Sequence, residues 1–177
     1  MNATHPRIEA MLHQPRGSKE LLTNYHALKR ESGAKKAFTT TWHELLRHGQ
    51  KRKALQLFTD AGHSPERIHA KLLGMGEASP SIYRHFIDAE INVDWARATK
   101  RMKADGATLA EAVNVLSRAG LRPEQIGVHA KEFKPSAQEF VKAAKAHYND
   151  EELFAAMRAA GFTDAEYHVA SNRPTKL

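Results

Sequence analysis

Apolar residues recur at helical spacing along most of the chain, in short segments. The pattern is clearest in residues 62–90, GHSPERIHAKLLGMGEASPSIYRHFIDAE. Ile68 and Leu72 are four residues apart in its first half, and Ile82 and Phe86 are four apart in its second half. This spacing places each pair on one face of a helix. The stretch therefore predicts two short helices, over about 64–73 and about 79–89.

Start and stop signals frame both helices. A serine precedes a proline at Ser64 and again at Ser79. A serine hydroxyl can accept a hydrogen bond from an unpaired amide at a helix start, and proline suits the first helical position because its missing N–H would be unpaired there. Gly62 and Gly76 precede these starts, where a preceding helix must end. Together the signals predict a helix-turn-helix.

Similar signals continue through the rest of the chain. Further helices are predicted over about 18–31, 41–49, 50–60 and 93–104, with a basic loop at 32–36. The capping-box spacing, a Ser, Thr or Asn followed three residues later by Glu, recurs at Thr41, Thr108, Ser136, Asn149 and Thr163. No convincing strand pattern is present. The predicted fold is all-α, a compact array of short helices joined by glycine turns, with a helix-turn-helix-like pair near the middle.

The predicted organisation has three parts. Residues 1–17 contain prolines, a glycine and scattered charge, and predict a mobile basic arm. Residues 18–170 predict a single all-α domain, and residues 171–177 predict a disordered tail. Within the domain, 62–90 aligns with 106–134 without gaps, and Gly62 and Gly76 coincide with Gly106 and Gly120. This alignment indicates an internal repeat of helical pairs, or chance similarity between two hairpins.

Charge narrows the class of partner. The chain of 177 residues has a formal net charge of +7 and a pI near 9.7, which favours polyanionic partners. The positive excess is uneven: residues 1–40 carry seven Lys or Arg and three Asp or Glu, whereas residues 136–177 carry five Lys or Arg and six Asp or Glu.

There are no cysteines, which fits a reducing cytosol. No apolar run is long enough for a membrane span, and residues 1–17 lack the apolar core of a secretory signal, so we predict a cytoplasmic protein without membrane contact.

Catalytic and metal-binding patterns are missing from the sequence. His43 and His48 are five residues apart, whereas two histidines that share one ion on a helix need to be four apart. With no cysteine to complete a ligand set, we predict no metal site. The chain has no glycine-rich phosphate loop and no GxSxG elbow. We therefore predict no cofactor and no enzymatic activity.

Two families of DNA-binding regulators resemble the central stretch. The chain resembles Tet-type repressors in three features: Phe58, Gly62 four residues later, and the run Tyr83-Arg84-His85-Phe86. The chain resembles the C subunit of the flagellar master regulator in the GHSPERI run that starts at Gly62 and in the pair Ser79-Pro80. Both resemblances are confined to the motif, and both imply a helix-turn-helix that binds DNA.

These observations lead to the prediction of a DNA-binding protein, a bacterial transcriptional regulator that uses its helix-turn-helix. In this interpretation Ser81, Arg84 and His85 face base edges. The residues expected to hold phosphates are basic side chains of three predicted helices: Arg47, Lys51, Lys53, Arg97, Lys100 and Arg101.

Two alternatives stay open at the level of the sequence. The first is a protein–protein interaction module, such as a secreted effector, an adaptor or an inhibitor, with Tyr83, His85 and Trp95 as its contact anchors. The second is a helical array that binds RNA. Neither the target nor the oligomeric state follows from the sequence.

Overall fold

The computed structural model describes residues 5–171, and these residues form α-helices joined by short turns, with no strand among them. The all-α prediction is confirmed. The elements are α1 (Pro6–His13), α2 (Lys19–Ser32), α3 (Ala34–Arg47), α4 (Lys51–Asp60), α5 (Pro65–Leu73), α6 (Ser79–Asp88), α7 (Trp95–Ala104), α8 (Leu109–Arg118), α9 (Pro123–Ala130), a 3-10 turn (Lys131–Phe133), α10 (Ala137–Ala144), α11 (Asp150–Ala160) and α12 (Asp164–Ala170).

Contacts divide the chain into two compact units, where the sequence predicted one domain over 18–170. The first unit is Met1–Glu77 with His85–Asn92, and the second is Ala78–Arg84 with Val93–Leu177. Helix α6 therefore contributes its first part to the second unit and its last part to the first unit. Of the predicted tail, Ser171 follows α12, and residues 172–177 lie outside the described residues, as do residues 1–4 of the predicted arm.

An aromatic core holds the first unit together. The rings of Phe38 on α3 and Phe58 on α4 stack at a centroid distance of 3.9 Å, and Tyr25 on α2 approaches Phe58 at 5.6 Å. Tyr25 and Phe58 are fully buried, and Phe38 is nearly so. Three helices are thus fixed around one cluster of large side chains, whose burial removes much apolar surface from water.

Three local predictions in the first unit differ from the structure. The described part of the predicted arm, residues 5–17, contains helix α1, whose Ile8 and Met11 are fully buried. The predicted loop 32–36 is a single-residue break, because Gly33 adopts a φ of +82° and α3 starts at the next residue. Thr41, predicted to cap a helix, is buried inside α3.

The second unit is capped largely as the sequence predicts. Reciprocal capping boxes begin at Thr108, Ser136, Asn149 and Thr163, each paired with the predicted glutamate three residues later. Its core lies between α8, α9, α10 and α11 and includes Phe140 and Met157.

Helix α9 packs against α11 at very short range in the second unit. Gly127 of α9 is buried, and a Cβ atom at this position would lie 2.0 Å from the carbonyl oxygen of Ala156 on α11. The two backbones can approach this closely only because residue 127 has no side chain. The α9–α11 contact therefore leaves no room for a side chain at residue 127.

The predicted repeat corresponds to a repeated order of elements. Helices α5 and α6 begin at Pro65 and Ser79, and α8 and α9 begin 44 residues later, at Leu109 and Pro123. The glycines that precede α5 and α8 adopt similar left-handed conformations, with φ of +81° at Gly62 and +86° at Gly106. The sequence alignment thus coincides with two pairs of helices whose starts are spaced alike along the chain.

Candidate nucleic-acid interface

The predicted base-reading residues of α6 do not form one exposed face. Ser81 is half-buried, whereas Arg84 is exposed and its Nε donates to the carbonyl oxygen of Pro80 at 3.4 Å. Hydrogen bonds from Thr108, and further the charge of Arg84, hold the pKa of Glu111 below its usual value. The guanidinium therefore lies within electrostatic range of a carboxylate of the same unit.

His85, the third predicted reader, is directed into the first unit. Its side chain is only 12% exposed, and its Nε2 lies 3.8 Å from a carboxylate oxygen of Glu77. Its ring lies 6.1 Å from the ring of buried Trp42. An imidazole in this setting contributes to packing, so of the three predicted readers only Arg84 offers an exposed side chain.

The predicted phosphate-binding residues of α3 and α4 are largely engaged within the protein. Lys53 is 9% exposed, and its ammonium donates to the carbonyl oxygen of Leu12 and to Gln50, both at 3.0 Å. Arg47 forms an ion pair with Glu44 at 3.0 Å. Lys51 is half-buried in the first turn of α4. Lys53 therefore ties α4 to the end of α1, which is a structural role.

The basic stripe predicted on α7 is exposed but balanced by acidic neighbours. Arg97 lies 3.4 Å from Asp94, and Arg101 lies 3.7 Å from Asp105. Lys100 lies 3.7 Å from the carboxylate of Glu132. Because each cation has a carboxylate within ion-pair distance, the stripe presents little net positive field.

A different set of basic side chains meets in the first unit, around His63 in the turn between α4 and α5. His26 and Lys29 come from α2, and Arg67 and Lys71 come from α5. We call these five residues the His63 cluster. Burial lowers the pKa of the His63 imidazole, and the positive charges of Lys71, Lys29 and Arg67 and the nearby His26 lower it further. The charged groups acting on this imidazole are thus of one sign.

An aromatic floor positions the His63 cluster. The Nε2 of His63 lies 3.2 Å from the hydroxyl oxygen of Tyr25, and the ring packs edge-on against Phe38 at 5.7 Å and Phe58 at 6.1 Å. The ammonium of Lys71 lies over the Phe38 ring, 4.8 Å from its centroid. Buried rings therefore fix both the central imidazole and one cation, and an aromatic face attracts an ammonium.

Sequence reasoning missed this cluster, although one signal for it exists. His63, Arg67 and Lys71 succeed one another every four residues, which aligns them along one side of α5 and the turn before it. His26 and Lys29 are three residues apart on α2. The sequence does not show that these two faces come together, because their approach depends on the packing of α2 against α3 and α4.

Comparison with protein-family models, with curated proteins and with solved structures finds no match for this chain. The likeness to the two regulator families therefore rests on the quoted motif residues alone. Over residues 5–171, no helix has the length and apolarity needed to cross a bilayer. The same part of the chain contains no group of three or more His, Asp or Glu side chains placed to hold a metal ion.

Proposed function

We propose that the protein binds nucleic acid, with duplex DNA as the expected ligand, through the His63 cluster of the first unit. One observation carries the proposal: α2 and α5 place four basic side chains around His63, and the charges that act on the pKa of its imidazole all lower it. By contrast, Arg97, Lys100 and Arg101 of α7 each lie beside a carboxylate.

Concentrated charge of one sign favours a polyanionic ligand. Like charges held near one another repel, and the repulsion is relieved when an anion binds between them. Duplex DNA carries a regular row of phosphates and releases condensed counterions when lysine and arginine side chains neutralise them. Three permanent cations, those of Lys29, Arg67 and Lys71, supply the charge for such contacts.

The position of the His63 cluster supports DNA in particular. Arg67 and Lys71 belong to α5, which is the first helix of the helix-turn-helix-like pair. In helix-turn-helix proteins the first helix crosses the phosphate backbone, while the second helix reads the major groove. Phosphate contacts from α5 would follow this arrangement. Regulation of transcription is the role that we propose such binding serves.

The protein-interaction alternative has less support. Its three predicted anchors were Tyr83, His85 and Trp95, but Tyr83 is only 6% exposed and His85 is turned inward beside Glu77. The Tyr83 ring packs against Trp95 at 6.2 Å. Side chains that already pack within the protein have little surface to offer a partner.

Binding can be tested by fluorescence anisotropy with a labelled duplex DNA of random sequence, between about 50 and 200 mM salt. If three phosphates are neutralised, the plot of log affinity against log salt should have a slope of about −2.7. A duplex RNA titrated in parallel separates the RNA alternative, since tighter RNA binding would redirect the proposal. No binding at the lowest salt, or binding insensitive to salt, would contradict it.

A further inference from the structure

We propose that His63 is the proton-uptake residue of the phosphate site: its imidazole becomes protonated when a nucleic-acid phosphate binds, so the affinity for nucleic acid rises as the pH falls. The inference rests on the proposed function and assigns a second role to the same cluster, that of coupling binding to pH.

The backbone holds His63 at the centre of the cluster. Gly62 ends the α4 segment with a φ of +81°, and the amide of His63 donates to the carbonyl oxygen of Phe58 at 3.0 Å. This bond is part of a helix-ending turn in which only glycine is unstrained. The ring of His63 is half-buried, so it is anchored on one side and still accessible to a ligand.

Tyr25 can serve both protonation states of the imidazole. Its hydroxyl lies 3.2 Å from Nε2, and burial raises the pKa of Tyr25 to about 12, which keeps the hydroxyl protonated. With neutral His63 the hydroxyl can donate to Nε2; with the imidazolium, Nε2–H donates and the hydroxyl oxygen accepts. The contact between the hydroxyl and Nε2 can therefore persist in both protonation states.

The titratable and charged groups around His63 determine the direction of the coupling. Helix α2 contributes Tyr25, His26 and Lys29, and α5 contributes Arg67 and Lys71. The other two elements pack on the ring through the phenyl groups of Phe38 and Phe58. In the unbound protein, burial and the positive charges favour the neutral imidazole.

A bound phosphate reverses this balance. Its negative charge lies among the same cations, and an opposite charge within about 4–6 Å favours the charged form of an imidazole. The pKa of His63 is then higher in the complex than in the unbound protein, and the complex takes up a proton. By linkage, affinity rises on acidification between the two pKa values, at most about tenfold per pH unit for one proton.

The test is the affinity for labelled duplex DNA at constant ionic strength, from about pH 8 to about pH 5.5, in the wild-type protein and in His63→Gln. We expect the wild-type affinity to rise several-fold per pH unit at the steepest point, and the variant to show a much flatter profile. Glutamine keeps hydrogen-bonding groups but does not titrate. Calorimetry in two buffers of different ionisation enthalpy should show uptake of up to one proton by the wild-type protein and less by the variant.

Two control variants keep the assignment specific. His129→Gln removes another half-buried histidine whose burial lowers its pKa, but in the second unit, and should leave the pH profile unchanged. His26→Gln tests the neighbouring histidine of the cluster. If His26→Gln flattens the profile and His63→Gln does not, the assignment to His63 is overturned.

The outcomes also separate this inference from the proposed function. If the wild-type protein binds in a salt-dependent way but its affinity does not change with pH, the proton coupling is overturned and the proposal of nucleic-acid binding stands. Absence of binding at every pH, at low salt, would overturn both.

Discussion

Replacing Gly127 with valine should unfold the second unit or destabilise it by about 3 kcal/mol or more. A Cβ atom at residue 127 would lie 2.0 Å from the carbonyl oxygen of Ala156, and 3.0 Å from the amide nitrogen of Ala160. Both are backbone atoms of α11, so the clash cannot be relieved by rotation of a side chain. Helix α11 would have to move away from α9, which opens the core around Met157. Urea denaturation followed by circular dichroism measures the loss.

A second glycine provides the control. Gly74 follows α5 with an ordinary φ of −66°, and the nearest atom to a Cβ there is 3.3 Å away, a carbonyl oxygen of the preceding turn. Gly74→Ala should therefore change the free energy of unfolding by about 1 kcal/mol at most. A Gly127→Val protein as stable as the wild type would show that α9 and α11 do not approach as described.

Substituting glutamine for Lys29, Arg67 and Lys71 together should remove most of the affinity for duplex DNA. If each phosphate contact is worth about 1 kcal/mol, affinity falls on the order of a hundredfold. The magnitude of the log–log salt slope should decrease by about 2.7, because three fewer counterions are released. Anisotropy titrations at several salt concentrations measure both quantities, and circular dichroism checks that the variant is folded.

The matched control removes the same number of charges from α7. Changing Arg97, Lys100 and Arg101 together to glutamine lowers the net charge by the same amount as the first triple substitution. Each of these three side chains, however, lies beside a carboxylate. We expect this variant to keep nearly the wild-type slope. Equal losses in the two variants would indicate a response to net charge alone, and a larger loss in the α7 variant would place the interface there.

Features that depend on residues close in sequence were predictable. The serine cap at Ser64 and the capping boxes at Thr108 and Thr163 follow from side chains within three residues of the helix start. The glycine ends at Gly62 and Gly106 are equally local. Such signals give the fold class and many helix boundaries, because the hydrogen bonds concerned form inside a single turn.

Features that depend on packing between helices were not predictable. Lys51 and Lys53 are both lysines in the first turn of α4. Lys53 is buried because its ammonium donates to a carbonyl oxygen at the end of α1. His85 was expected on an exposed face, yet the first unit encloses it beside Trp42. Likewise, the convergence of Lys29 with Lys71 depends on how the first unit packs. A periodic pattern shows which residues share a face of a helix, but not which face meets another helix.

The most direct test of the proposed interface is lysine footprinting, in which an acetylating reagent modifies accessible lysines with and without duplex DNA and mass spectrometry measures each site. We predict that DNA protects Lys29 and Lys71, whereas Lys100 and Lys142 in the second unit react at an unchanged rate. Lys53, buried in the first unit, should react slowly in both samples. Protection of Lys100 and Lys142 with no change at Lys29 and Lys71 would contradict a nucleic-acid site at the His63 cluster.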